Sequence, residues 1–300
     1  MGVVPNIRMI ASHVENTICA IRLPTLYCGL SFCKDIIVNQ LKNVRMGGFY
    51  KKLKLTTTIC LSFALAQNAS AQRLSTYNDI GWYNVFGTFN ISKHISIIPE
   101  FQWRRNNIIT DWQQLLARAG VQYHFDKGGT AAILYCFTMS YPIGDYPWGP
   151  YPFPEHRITE QVGFTGTTGI FNFSHRLRLE QRWLGQINQK GESGKVESWM
   201  YLNRARYQLR TDVAINRKKI EDKTFYVAAF DEILIGFGKN VNQNVFDQNR
   251  LGLLAGYRMN KNFRFEAGYL NQIVQQPAPV NGHPVYQYNQ GPIVNLYVTK

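Results

Sequence analysis

From residue 79 to residue 299 the sequence alternates between apolar and polar side chains with a period of two, segment after segment. That period belongs to the β-strand, whose successive side chains point to opposite faces, and helical spacing accounts for none of these segments well. The clearest case is Phe171–Trp183. Its odd positions carry Phe171, Phe173, His175, Leu177, Leu179, Gln181 and Trp183, and its even positions Asn172, Ser174, Arg176, Arg178, Glu180 and Arg182. Trp199–Thr211 follows the same rule. Arg204, Arg206, Gln208 and Arg210 face one way, and Trp199, Tyr201, Ala205, Tyr207 and Leu209 the other, with Asn203 breaking the apolar stripe. Eleven such segments are predicted, near 79–91, 94–106, 112–125, 130–141, 156–168, 171–184, 198–213, 224–237, 248–259, 262–274 and 289–299.

The connections alternate as well. Short turns fall near Ser92-Lys93, Asp126–Gly129, Gly169-Ile170, Asn216–Asp222 and Asn260-Lys261, and longer ones at Asn106–Thr110, Pro142–Glu155, Gly185–Glu197, Gly238–Asp247 and Gln275–Tyr288. Short periplasmic turns alternating with long outer loops is the build of an outer-membrane barrel. The expected fold is therefore all-β: an antiparallel up-and-down transmembrane β-barrel of about 12 strands (10–12). Parity is the difficulty. With long loops outside, the last strand ends in the periplasm at Lys300, but the strand at 79–91 would begin outside. Either Gln72–Asn78 supplies a short twelfth strand or it threads the lumen; the even strand number usual in bacterial barrels favours twelve.

Alternation alone does not say which face is outside, and a soluble lipocalin-like barrel would turn the same apolar face inward. Three features favour the membrane. The polar faces use Arg, Gln and Asn with little Lys. Aromatic residues recur near strand ends (Trp103, Tyr123, Tyr141, Trp183, Trp199, Tyr257 and Tyr269), where interfacial girdles sit. After residue 71 the chain holds a single cysteine, Cys136, so it needs no disulfide. Composition agrees: aromatic residues make up 14% and charged residues only 17%. Mean hydropathy is −0.24, and no stretch approaches the roughly 20 apolar residues of a spanning helix.

Residues ahead of 72 read differently. In Met46–Ala71, Lys51, Lys52 and Lys54 precede an apolar run, Leu55–Ala66, and the small-x-small site Ala69-Ser70-Ala71. This is a secretory signal peptide with cleavage expected between Ala71 and Gln72. It starts 45 residues late, so residues 1–45 are expected to be a non-native extension from a misassigned start at a codon upstream of Met46. The barrel is assigned to 72–300. Residues 1–71 carry 8 Lys/Arg against 2 Asp/Glu, a large share of the total charge of +14. The remaining basic residues are scattered through alternating strands without any nucleic-acid motif, so nucleic acid is not expected as a partner.

Four stretches carry a family likeness: Phe101-Gln102-Trp103-Arg104-Arg105-Asn106, Thr110–Leu116 (TDWQQLL), Pro154-Glu155-His156-Arg157, and Phe225–Gly238 (FYVAAFDEILIGFG). Together they resemble the Bacteroidetes proteins grouped as domain-of-unknown-function family 2490, over about residues 79–299. The resemblance implies an outer-membrane β-barrel and implies no activity or catalytic residues. One departure is the end, Leu296-Tyr297-Val298-Thr299-Lys300, where many such barrels finish on an aromatic residue; recognition by the barrel-insertion machinery would then rest on Tyr297.

The polar faces define a candidate lumen: Glu100, Arg104, Arg118, Arg176, Arg178, Glu180, Arg182, Arg204, Arg206, Arg210, Arg250, Arg258, Arg264 and Glu266. An arginine-rich lumen favours small anionic solutes. The competing account is structural, with Arg–Glu pairs filling and stiffening the interior of a barrel this wide. The expected function is a narrow passive pore or a structural envelope component in outer-membrane lipid, and no enzyme. The alternatives are an outer-membrane lipid hydrolase, built around Glu155, His156 and Glu160 or around Ser140, Ser174, Ser198 and His175, and a soluble periplasmic ligand-binding barrel. No nucleophile elbow, metal cluster or nucleotide motif occurs, and no cofactor is expected. Asp231-Glu232 interrupts an apolar strand and reads as a strand end or bulge, or as an acid paired with a lumen arginine. Ser140–Pro154, rich in Pro, Gly and aromatics, reads as an outer loop folding over the mouth.

Overall fold

The computed structural model describes residues 73–126, 128–187 and 195–300. The extension and signal-peptide readings, with Ala71 and Gln72, lie outside the described residues. The strands are β1 (Leu74–Asn90), β2 (Ile95–Ile97), β3 (Glu100–Asn106), β4 (Asp111–His124), β5 (Gly129–Ser140) and β6 (Phe153–Thr168). They continue as β7 (Phe171–Ile187), β8 (Val196–Ala214), β9 (Thr224–Phe237), β10 (Phe246–Arg258), β11 (Phe263–Gln275) and β12 (Val285–Thr299). All belong to one sheet that closes on itself. The all-β barrel, the segment positions and the alternation of short and long connections match the sequence reading.

Two details of the wall differ from it. β2 and β3 both lie between β1 and β4. They are one strand position, interrupted at Ile98-Pro99 because proline has no N–H to give a ladder. Twelve strands thus occupy eleven positions. Leu74–Asn78 is neither a separate twelfth strand nor a lumen thread; it is the start of β1, paired with Val285–Asn289. The second detail follows from the first. Every pair is antiparallel except β1 with β12, which run parallel from Leu74↔Val285 to Thr88↔Thr299. A parallel seam closes an odd barrel, so the even parity expected from bacterial barrels is not required. It also leaves β1 starting at the rim of the long connections and β12 ending at the rim of the short turns.

Burial is turned inside out. Glu180 and Glu266 are 0% exposed and Arg204 2%, while Ile133 is 67%, Phe164 57% and Leu177 53% exposed. Alternation puts charged positions into the barrel and apolar ones around it. Outward aromatics pair near both ends. Trp112 stacks on Tyr141 at 5.4 Å, His156 meets Trp199 at 4.9 Å and Trp183 meets Tyr201 at 5.3 Å towards the long connections. Phe225 meets Tyr257 at 4.5 Å and Tyr123 meets Phe125 at 5.1 Å towards the short turns.

The wall is not uniform. The inner side of β9–β12 and β1 carries an apolar cluster of Ile80, Trp82, Tyr226, Ala228, Leu254, Leu270 and Ile293. Its rings lie across bare backbone on β10. A Cβ at Gly252 would come 2.1 Å from Phe230, and one at Gly256 2.2 Å from Tyr226. Outside, the same strands carry an in-register polar row, Asp231, Asn271, Gln290 and Asp79, interrupted by Leu251.

Candidate functional site

The interior is organised around a few carboxylates, each serving several guanidinium groups from neighbouring strands. Glu180 on β7 accepts from Arg204 at 2.6 Å and from Arg206 at 2.7 Å, both on β8. Arg204 reaches on to Asp247 at 2.6 Å. Glu232 on β9 accepts from Arg206 at 2.7 Å, Arg176 at 3.1 Å and Arg250 at 3.2 Å. Glu100 accepts from Arg118 at 2.9 Å. Glu266 accepts from Arg210 at 2.5 Å and from the Tyr226 hydroxyl at 2.7 Å. Charges taken out of water are costly unless each is met, and breaking one buried pair costs about 3–5 kcal/mol because its partner is stranded.

Of the residues predicted to line the lumen, Glu100, Arg104, Arg118, Arg178, Glu180, Arg204, Arg206, Arg250 and Glu266 are buried on inward positions. Arg176, Arg182, Arg210, Arg258 and Arg264 are inward and half-buried. Arg258 lies near the short-turn rim, 3.5 Å from Asp222. Four members were missed by the sequence reading, Glu155, Arg157, Asp212 and Asp247, while Glu232 is the acid paired with a lumen arginine that it offered as an alternative. Glu155 binds Arg182 at 2.6 Å and Arg157, pinning β6 to β7. The Glu-x-Arg spacing of Glu155 and Arg157, on one face of a strand, was the available signal. Asp247 turns inward at a register shift in β10 between Phe246 and Gln248, which simple alternation cannot anticipate.

Arg104 differs from the rest. Its Nε donates to Gln102 and its Nη1 to Gln114 at 2.6 Å, with no carboxylate in ion-pair range among the described residues. Instead its guanidinium lies 3.7 Å from the ring centroid of Trp82, with Arg250 5.1 Å from that same centroid. Trp82 is held by its Nε1 donating to Gln113 at 2.9 Å. This layer parts two cavities. One of about 170 Å³ faces the long connections, and one of about 540 Å³ faces the short turns; Arg104 and Arg250 border both. Over the smaller cavity the 141–152 connection reaches across to the seam. Thr76 Oγ1 donates to Asp145 at 3.1 Å, and Gln287 Nε2 to the Ile143 carbonyl at 3.3 Å.

The hydrolase candidates do not converge. Glu155 points inward and is buried, whereas His156 and Glu160 point outward. His156 Nδ1 is 2.6 Å from the Tyr135 hydroxyl. Ser174 and His175 lie on opposite faces, and His175 meets the Tyr207 hydroxyl at 2.8 Å. A Ser–His contact the sequence did not suggest joins Ser96 Oγ to His124 Nε2 at 2.8 Å. Ser96 is wholly buried, and its Oγ also donates to Asn90 Oδ1 at 2.8 Å. Asp231-Glu232 is neither a strand end nor a bulge. Both pair regularly in mid-strand; Glu232 joins the lumen network, and Asp231 faces out with Asn249 Nδ2 at 3.1 Å. Among the described residues no group of three His, Cys, Asp or Glu is placed to hold a metal ion.

Compared with known proteins, residues 80–283 match the model of a family described as Protein of unknown function (DUF2490). No curated protein and no solved structure matches the chain.

Proposed function

We propose that this chain, which belongs to the family described as Protein of unknown function (DUF2490), is an outer-membrane β-barrel forming a narrow pore for small anions. The observation that carries the reading is the inverted burial: isoleucine, leucine, valine and aromatic side chains on the outer face, arginine and glutamate within. Water tolerates contiguous apolar patches of only a few hundred Å² on a soluble monomer, and this surface runs round the barrel, broken only by the polar row on β9–β12 and β1. A closed sheet is also one of the two ways to satisfy a backbone in hydrocarbon. The signal-peptide pattern of Met46–Ala71 supports export.

Selectivity follows from the interior charge. Arginines outnumber carboxylates on the walls of both cavities, and a ring of like charge sets which ions enter. The Trp82–Arg104–Arg250 layer is the constriction. A structural role in the envelope is the second reading, favoured by the complete pairing of Glu180 with Arg204 and Arg206.

The deciding experiment is single-channel recording of the folded protein in a planar bilayer. Anion-selective steps are expected, losing selectivity in Arg178→Gln and Arg206→Gln. Silence from a folded, heat-modifiable barrel would remove the pore and leave the structural role.

A further inference from the structure

We infer that the larger cavity, on the short-turn side of Trp82, is a binding site for a multiply charged oxyanion of the phosphate class, gripped by Arg178 with Arg176, with the charge of Arg206 beside them. This deepens the pore reading and rests on it for how the anion reaches the site.

Most buried charges elsewhere in the interior have a matched group. Glu155 has Arg157 and Arg182, Glu180 has Arg204 and Arg206, and Arg104 has the Trp82 ring. Around Arg178 the matching fails. Its Nε donates to Gln161 at 2.7 Å, and among the described residues its terminal nitrogens donate no hydrogen bond. The nearest carboxylate, Glu100, is 3.9 Å away and already taken by Arg118 at 2.9 Å. Arg178 is 6% exposed, and a guanidinium that buried needs a counter-charge.

Its neighbours make the need greater. Arg206 stands directly across the ladder from Arg178, a placement in which like charges repel. Arg176 is two residues along the same face. Arg176 gives one terminal nitrogen to Glu232 at 3.1 Å, whereas Arg206 spends both of its terminal nitrogens on Glu180 and Glu232 and so adds charge rather than a free donor. The cavity wall carries seven arginines against Glu100, Asp212 and Glu232, and with Glu180 and Glu266, which hold Arg206 and Arg210 from beside it, two positive charges remain in surplus. A carboxylate would neutralise one of these, whereas a phosphate dianion neutralises two and accepts several donors in the fork geometry that arginine offers. At about 540 Å³ the cavity has room for phosphate and for a small group attached to it.

The test is isothermal titration of the folded barrel in detergent with inorganic phosphate at constant ionic strength, chloride serving as the competing anion. Saturable binding near one phosphate per chain is expected. Arg178→Gln should weaken it at least about tenfold, Arg178→Lys by less since the charge stays, and Lys93→Gln, at the exposed rim, should not change it. Trp82 borders the cavity, so a phosphate-dependent fluorescence change absent from Trp82→Phe would locate the ligand. Absence of saturable heat, or equal binding by a heat-modifiable Arg178→Gln barrel, overturns the site. Binding without conductance would keep the site and remove the pore; conductance without binding would do the reverse.

Discussion

The guanidinium of Arg104 lies over Trp82, 3.7 Å from the ring centroid, and Arg104 borders both interior cavities. An aromatic face is an unusual counter-ion for a buried cation. It supplies up to about 2 kcal/mol of attraction when both groups are desolvated, and it introduces no negative charge into an arginine-rich interior.

Trp82→Ala should therefore act in two ways. Loss of a large buried ring costs about 3–5 kcal/mol, read as a lower midpoint of heat-modified migration or denaturant unfolding. The opened layer joins the two cavities, so conductance should rise several-fold over the unaltered barrel. Unchanged conductance would mean that Trp82 is not the constriction.

Glu180 is wholly buried and accepts from Arg204 and Arg206. Glu180→Gln should cost about 3–5 kcal/mol, the range for stranding a buried partner. Glu180→Gln combined with Arg206→Gln should recover part of the loss. A double-mutant cycle in urea gives the coupling, and strict additivity would show that the pair does not act as one unit.

Gly252 sits beneath Phe230 with no room for a methyl group. Gly252→Ala should destabilise the barrel by about 1–3 kcal/mol through overpacking. Gly166, whose Cβ position is open, supplies the control: Gly166→Ala should stay within about 0.5 kcal/mol. Equal effects at both positions would contradict the ring-on-glycine packing.

The parallel seam places Leu74 at the rim of the long connections and Lys300 at the other. With long loops outside, an epitope set just before Leu74 should be stained by antibody on intact cells, while one after Lys300 should need the outer membrane to be broken. Staining of both on intact cells would contradict a barrel that spans the membrane with its ends on opposite sides.

Much of this was legible locally. Alternation in Phe171–Trp183 assigned Arg176, Arg178, Glu180 and Arg182 to one face, and the barrel puts all four inward. What a period of two cannot encode is who stands beside whom. The β1–β12 pairing joins residues more than 200 positions apart, Leu74 with Val285, and no local pattern distinguishes a parallel closure from an extra strand. Pro99, inside the segment read as 94–106, was a visible warning of the break between β2 and β3. Glu155 was lost because Pro152 and Pro154 made its neighbourhood read as loop, although β6 begins at Phe153, while Arg157, inside the segment read as 156–168, was not taken into the inward set. Asp231 was read as an irregularity because an acid on an apolar outer face is rare; the ladder carries it without one.

The seam has one further consequence, for ancestry. Gaining or losing a whole hairpin changes such a sheet by two strands and leaves both ends of the wall on their own rims. Any relative reached from this barrel in that way would keep an odd count and inherit the same parallel closure. Nor could the ends be spliced by a short linker and reopened elsewhere, as in a barrel whose ends share a rim, because the splice would have to travel the full height of the wall.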